Sequence, residues 1–164
     1  MTTTEGLSPA TDNAPVVHDV HWEIDYKVKL GRAWSRFMRG LADRELWGTT
    51  CDGCQRTHIP AQDYCEACYE QVTTWTKVEP VGTVRAATIV YQGFEGGPEA
   101  PYAVGAIEID GTASQLMHFI GGVDLDPSAN PRDVLRNGVR VRAKWAEERT
   151  ASIRDIEHFE IVQD

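Results

Sequence analysis

The chain has no apolar run approaching the ~18 residues that a membrane-crossing helix needs, which sets helical membrane proteins aside. It has no excess of positive charge: 16 lysines and arginines stand against 25 acids, a formal net charge of −9. The broad electrostatic pull behind non-specific binding to phosphate backbones is therefore missing, though a whole-chain total leaves a local basic patch open. There is no basic, apolar, small-residue start of the kind that directs secretion, so the expected location is the cytoplasm. No glycine-rich loop leads into a lysine-bearing helix, so no phosphate-cradling loop is expected. Cysteine is scarce, with four in 164 residues, and a chain of this length does not resemble a disulfide-built miniature domain. What remains is ordinary for a globular protein: hydrophobic content is 41%, enough for one core, or for a small core plus a metal-pinned module.

The four cysteines fall in one pattern. Cys51-Asp52-Gly53-Cys54 is followed by ten residues and then Cys65-Glu66-Ala67-Cys68. Two C-x-x-C pairs at this spacing are the ligand set of a small zinc ribbon. Two residues between cysteines let a tight knuckle aim both sulfurs at one ion, and two knuckles complete a tetrahedron. Four thiolates do not share a small volume without a cation among them. A structural zinc supplies on the order of 10–16 kcal/mol of apparent binding energy at neutral pH. That exceeds what a module of about thirty residues gathers from its own core. Iron fits the same ligands, as in rubredoxin. Such knuckles often carry glycine after the second cysteine, where the backbone takes a positive φ. Here Gln55 and Tyr69 hold those places, which points to a strained or differently turned ribbon. His58 lies between the pairs and reads as a surface or second-layer residue, since four cysteines already complete the site.

The remainder of the chain divides around this module. Residues 1–20, rich in Thr, Pro and Ala, read as a disordered leader. Residues 21–48 form an N-terminal helical segment. Its helix is expected over 26–44, with Leu30, Trp34, Phe37, Met38 and Leu41 on one apolar stripe and Arg32, Arg36 and Arg39 on another. The stripe suits packing on the chain's own domain. It equally suits a partner, with Trp34, Phe37 and Arg36 as interface candidates, because Trp, Tyr and Arg dominate interface energetics. Residues 49–76 form the ribbon, and Trp75 is suited to cap the junction with the next domain.

From 77 to 164 the period changes to two. Strands are expected over 82–91, 102–109, 114–120, 139–145 and 156–162, with a hairpin turn at Asp110-Gly111 and a short helix from Asn130. Five short strands with a helix before the fourth suggest a Greek-key barrel of the OB type. The fold class is thus mainly β: an N-terminal helix, a rubredoxin-like zinc ribbon and a C-terminal OB-fold barrel.

A ribbon placed just before such a barrel resembles the bacterial and archaeal zinc-ribbon/OB-fold proteins of domain-of-unknown-function family thirty-five, which accompany thiolase-superfamily enzymes. The resemblance runs over about 37–162. It is carried by residues 41–46 leading into Cys51-x-x-Cys54, by Ile59-Pro60, Cys65-x-x-Cys68, Trp75, Gly82-Thr83-Val84, Thr88, Pro101-Tyr102-Ala103-Val104 and Asn137-Gly138-Val139-Arg140-Val141. The chain departs from the family pattern at the missing knuckle glycines, at Glu66-Ala67, and in an extended loop over 124–131. The resemblance implies a subunit without catalysis of its own. It would bind a thiolase-like aldolase or thiolase and help hold a CoA thioester at a shared site, with two copies on a partner dimer. The aldolase association of related members implies breakdown of a steroid or similar acyl-CoA side chain. Arg140, Arg142 and Lys144 on the fourth strand are then the candidates for the CoA phosphates.

The residues themselves offer no nucleophile with its base. The cysteines are taken by metal, and His18, His21, His118 and His158 sit in unremarkable contexts, His118 reading as structural. The alternative reading is a nucleic-acid-binding ribbon/OB protein, with Tyr91, Phe94, Tyr102, Phe119 and Trp145 stacking bases.

Overall fold

The structure is a computed structural model and describes residues 21, 23–126, 128 and 135–162. The proposed leader over 1–20, with His18, and the short helix expected from Asn130 both lie outside the described residues. Helix α1 spans Gly31–Ala42, and β1 (Leu46–Thr50), β2 (Thr57–His58) and β3 (Thr74–Val78) follow. Then come β4 (Val81–Val90), β5 (Tyr102–Ile109), β6 (Gln115–Gly121) and β7 (Arg140–Trp145), and a 3-10 turn at Ile153–Asp155 that leads into β8 (Ile156–Ile161).

The helix begins five residues later than its expected start. Residues 23–30 alternate apolar and polar every second position, so they cannot gather one helical face. Gly31, with a φ of 75°, turns the chain into the helix. From there the 3.6 period holds. Ala33, Phe37 and Leu41 are buried, and Met38 packs beside them.

β1, β2 and β3 form a three-stranded antiparallel sheet in the order β2-β1-β3. β4 to β8 close a five-stranded barrel in the order β4-β5-β6-β8-β7, and β7 returns to β4. Every pair is antiparallel except β6 with β8. This is the OB arrangement. The strands show the alternation that the sequence carries: in β5, Ala103, Gly105, Ile107 and Ile109 are buried and the residues between them are only half-buried. A bulge between Val84 and Ala86 bends β4 round the barrel. At Gly82 a Cβ would run into the carbonyl oxygen of Glu108, so only glycine allows the two strands this approach.

One core joins the parts. Phe37 and Leu41 of the helix and Leu46, Ile59 and Ala61 of the ribbon belong to the same buried cluster as Val84, Ile107, Val141 and Phe159 of the barrel. Polar contacts reinforce the joint. The Ser114 hydroxyl accepts from the Ile59 amide at 2.7 Å and donates to the Ile59 carbonyl at 2.8 Å. The Ala113 amide donates to the Thr57 carbonyl at 2.8 Å. Arg149 Nε donates to the Ala42 carbonyl at the helix end, also at 2.8 Å. Among the described residues no helix is long and apolar enough to cross a membrane.

Candidate metal centre and its surroundings

The two knuckles are built alike. In the first, the Gln55 amide donates to the Cys51 carbonyl at 2.8 Å and the Cys51 amide to the Arg56 carbonyl at 2.9 Å. In the second, Tyr69 donates to Cys65 and Cys65 to Glu70, each at 2.9 Å. Gln55 and Tyr69 take φ values of 60° and 61°. The positive-φ geometry is therefore kept without glycine, and the expected deviation in ribbon shape is instead a local strain held at two non-glycine residues. Gln55 offsets part of it by donating from Nε2 to the Asp52 carbonyl at 2.7 Å.

This geometry brings the sulfurs together. The four Sγ atoms lie within 4.8 Å of one another, with Cys54 and Cys65 at 3.6 Å. A tetrahedral ion with metal–sulfur bonds of about 2.3 Å sets its sulfurs about 3.8 Å apart, so the donor set fits such an ion. Cys51 and Cys65 are buried, and Cys54 and Cys68 are partly so.

The electrostatics point the same way. The backbone N–H of Cys68 draws the Cys65 thiol down to about 6 against the opposing effect of burial, and the N–H of Ala67, the His58 ring and Cys54 assist. At Cys51 the N–H groups of Cys54 and Gly53 favour the thiolate, but burial and the neighbouring sulfurs outweigh them and the thiol is held above its ordinary value. The sulfur of Cys54, then burial, then the other two sulfurs push Cys68 up to about 12. Sulfurs this close resist a shared negative charge, and a cation among them removes the conflict.

His58 is not at the surface. It is fully buried, neither ring nitrogen has a hydrogen-bond partner of regular geometry, and its influence falls on the Cys65 sulfur. The knuckle end of the ribbon has almost no core apart from the metal ligands, since only Val72 is buried in one cluster with the cysteines, while Ile59 and Ala61 belong to the core shared with the barrel.

Of the three interface candidates, Phe37 is fully buried in the chain's own core, which corrects its reading as a contact for another protein. Arg36 lies over two rings of its own chain, 4.6 Å from the centroid of Trp47 and 4.2 Å from that of Trp75. Trp47 on β1 and Trp75 on β3 thus clasp a helix arginine, a contact that spacing alone does not reveal. Trp34 is 42% exposed and touches Phe37 edge-on at 6.2 Å.

The basic residues of β7 are set among carboxylates. Arg140 is paired with Asp110 and donates to Thr83 Oγ1 at 2.8 Å. Lys144 reaches Glu157 at 3.4 Å, and Arg142 stands opposite Glu160 across the strand pair. A groove of about 720 Å³ lies on the barrel under the loop Gly96-Gly97-Pro98, with Met117, Phe119 and Arg154 among its walls. Tyr102 and Phe119 meet edge-on there at 5.6 Å, and Tyr91 and Phe94 are exposed, while Trp145 packs against the core. Aromatics are thus present on the side where OB barrels bind single strands, but the groove's wall carries the acid Glu157 beside the single cation Arg154, and Arg140, Arg142 and Lys144 are not part of it. His118 also lines the groove. It is buried, its Nε2 donates to the Ile153 carbonyl at 3.1 Å, and burial lowers its pKa.

A cysteine-ligated ribbon fused to a five-stranded OB barrel defines the class, and comparison with known proteins narrows it. Residues 38–73 match the family described as ChsH2, rubredoxin-like zinc ribbon domain, and residues 75–146 match ChsH2, C-terminal OB-fold domain. The chain belongs to this ChsH2 type of zinc-ribbon/OB-fold protein. Among solved structures it is similar to a protein of unknown function from the DUF35 family of Sulfolobus solfataricus, at 19% identity and a TM-score of 0.58, over 80% of this chain and 87% of that one. It is also similar to a chain of an "Ltp2-ChsH2(DUF35) aldolase", at 18% identity and a TM-score of 0.59, over 82% of this chain and 98% of that one. At these identities the likeness is one of fold. No curated protein matches the chain.

Proposed function

We propose that the chain is a partner subunit of an aldolase, contributing structure and a docking surface while the partner carries the reaction. The observation behind this reading is the pair of ChsH2 domains in one order, on a fold that covers 98% of the matching chain in a structure titled as an Ltp2-ChsH2 aldolase. The partner we infer is a thiolase-superfamily enzyme acting on an acyl-CoA, with a steroid side chain as the substrate class. The ion we infer at Cys51, Cys54, Cys65 and Cys68 is zinc in a closed, structural site: four sulfurs leave no open position for a substrate. Trp34 supplies the outward aromatic for docking. Arg140, Arg142 and Lys144 would meet CoA phosphates only by exchanging their present carboxylate neighbours for them.

Co-expression with a thiolase-like aldolase tests the reading. The two should co-purify, and the aldolase should lose solubility or activity when expressed without this chain. An aldolase that is fully active alone and never co-purifies with it overturns the proposal.

A further inference from the structure

The segment entering α1 reads Glu23-Ile24-Asp25-Tyr26-Lys27-Val28-Lys29-Leu30. Its period of two, with β-branched and aromatic residues on one side, is that of a strand with one apolar face. Yet it pairs with no strand among the described residues. Every residue in it is exposed, including Ile24 at 61%, Tyr26 at 78% and Val28 at 65%. The closed barrel offers it no edge, and it is paired with neither edge strand, β2 or β3, of the three-stranded sheet.

We propose that residues 23–30 pair antiparallel with the same residues of a second copy, about a two-fold axis at Tyr26. The order of charges selects this occupant. The acids Glu23 and Asp25 precede Tyr26, and the bases Lys27 and Lys29 follow it at mirrored distances. Centred on Tyr26, an antiparallel pair sets Glu23 opposite Lys29 and Asp25 opposite Lys27, each twice. It also sets Ile24 opposite Val28 and Tyr26 opposite itself. A slip of one residue in either centre by way of the next like-faced register puts Asp25 against Asp25 or Lys27 against Lys27. A parallel, in-register pair sets every charge against its own kind. Opposite charges and aromatic or β-branched pairs across strands are favourable, and like charges directly opposite are not. The contact is isologous, so it closes at two chains. A two-stranded ribbon alone is marginal in water. The apolar face of the arm, however, runs on into Leu30, 46% exposed, which extends what the dimer can cover.

The full-length, metal-loaded chain tests this by itself, independently of any aldolase. Tyr26→Cys should give a disulfide-linked dimer under mild oxidation. Asp25→Cys and Lys27→Cys should each remain uncrosslinked alone and crosslink when mixed. In sedimentation equilibrium, the double changes Glu23→Lys/Asp25→Lys and Lys27→Glu/Lys29→Glu should each weaken self-association by about tenfold or more, and an equimolar mixture should restore it. A wild-type chain that stays monomeric up to about 0.1 mM overturns the proposal, as do charge-reversed variants that associate as the wild type does.

Discussion

The Arg36 guanidinium rests 4.2 Å from the centre of the Trp75 ring, tying the middle of the helix to the strand that leaves the ribbon. Trp47 lies 4.6 Å from the same guanidinium, and Arg32 of the next turn binds Asp63 and the Val72 carbonyl. Cation–π contacts contribute about 0.5–1 kcal/mol each at exposed sites. Arg36→Ala should therefore lower stability by about 1–2 kcal/mol in urea unfolding of the metal-loaded protein. Arg36→Lys should recover only part of it, because the flat guanidinium stacks and the ammonium does not.

Metal content should be one ion per chain under reducing conditions. Any of Cys51→Ser, Cys54→Ser, Cys65→Ser or Cys68→Ser should abolish stoichiometric binding. Because Val72 is the only other buried residue in the cluster that the cysteines form, chelation should raise amide exchange in the two knuckles, over 51–56 and 65–72, far more than in β5 and β6. Uniform exchange behaviour in the two regions after chelation would count against a metal-held ribbon.

Gln55→Gly and Tyr69→Gly should stabilise the protein despite the added chain entropy. Each residue sits at a φ near 60°, where a Cβ costs about 1–2 kcal/mol and glycine's penalty is about 0.5–1 kcal/mol. A rise in thermal midpoint of a few degrees for the double variant is the expected reading. A fall would show that the Gln55 and Tyr69 side chains supply more than the strain removes.

Ser114→Ala should cost about 1–3 kcal/mol, since it strips partners from both the amide and the carbonyl of buried Ile59. The loss should appear in chemical denaturation with metal content unchanged, because the contact lies at the ribbon–barrel joint and not at the sulfurs.

Stability should fall as the pH drops below about 6.5, in part because of His118. Burial depresses its folded pKa, so between the folded and unfolded values the unfolded chain binds more protons and the native state loses ground as pH falls. His118→Leu, on the inward face with Leu116 and Ile120, should flatten that part of the curve. Asp110, held below the usual carboxylate range by Arg140, acts lower: its contribution is present above about pH 4 and fades as pH falls further. Parallel wild-type and His118→Leu curves between pH 5 and about 6.5 would remove His118 as a cause.

Much of this molecule was readable in one dimension, because the signals involved are local. Four cysteines at two short spacings bring the metal ligands together through knuckles that close within five residues, and no distant contact is needed. Period two over 102–109, 114–120 and 139–145 reports which side of each strand faces inward, and the observed strands differ from those ranges by about a residue at either end. Their order, with one helix-length gap before the fourth, was enough for an OB barrel. Folding in three dimensions settled the roles of the aromatics and the charges. Phe37 and Trp34 lie on the same stripe of the same helix, yet one is core and the other is open, because the barrel covers only part of that face. Arg36 belongs to Trp47 and Trp75, and Arg140 to Asp110, through partners 11 to 39 residues away in the chain. Such pairings are products of how elements pack, and spacing along the chain carries no record of them.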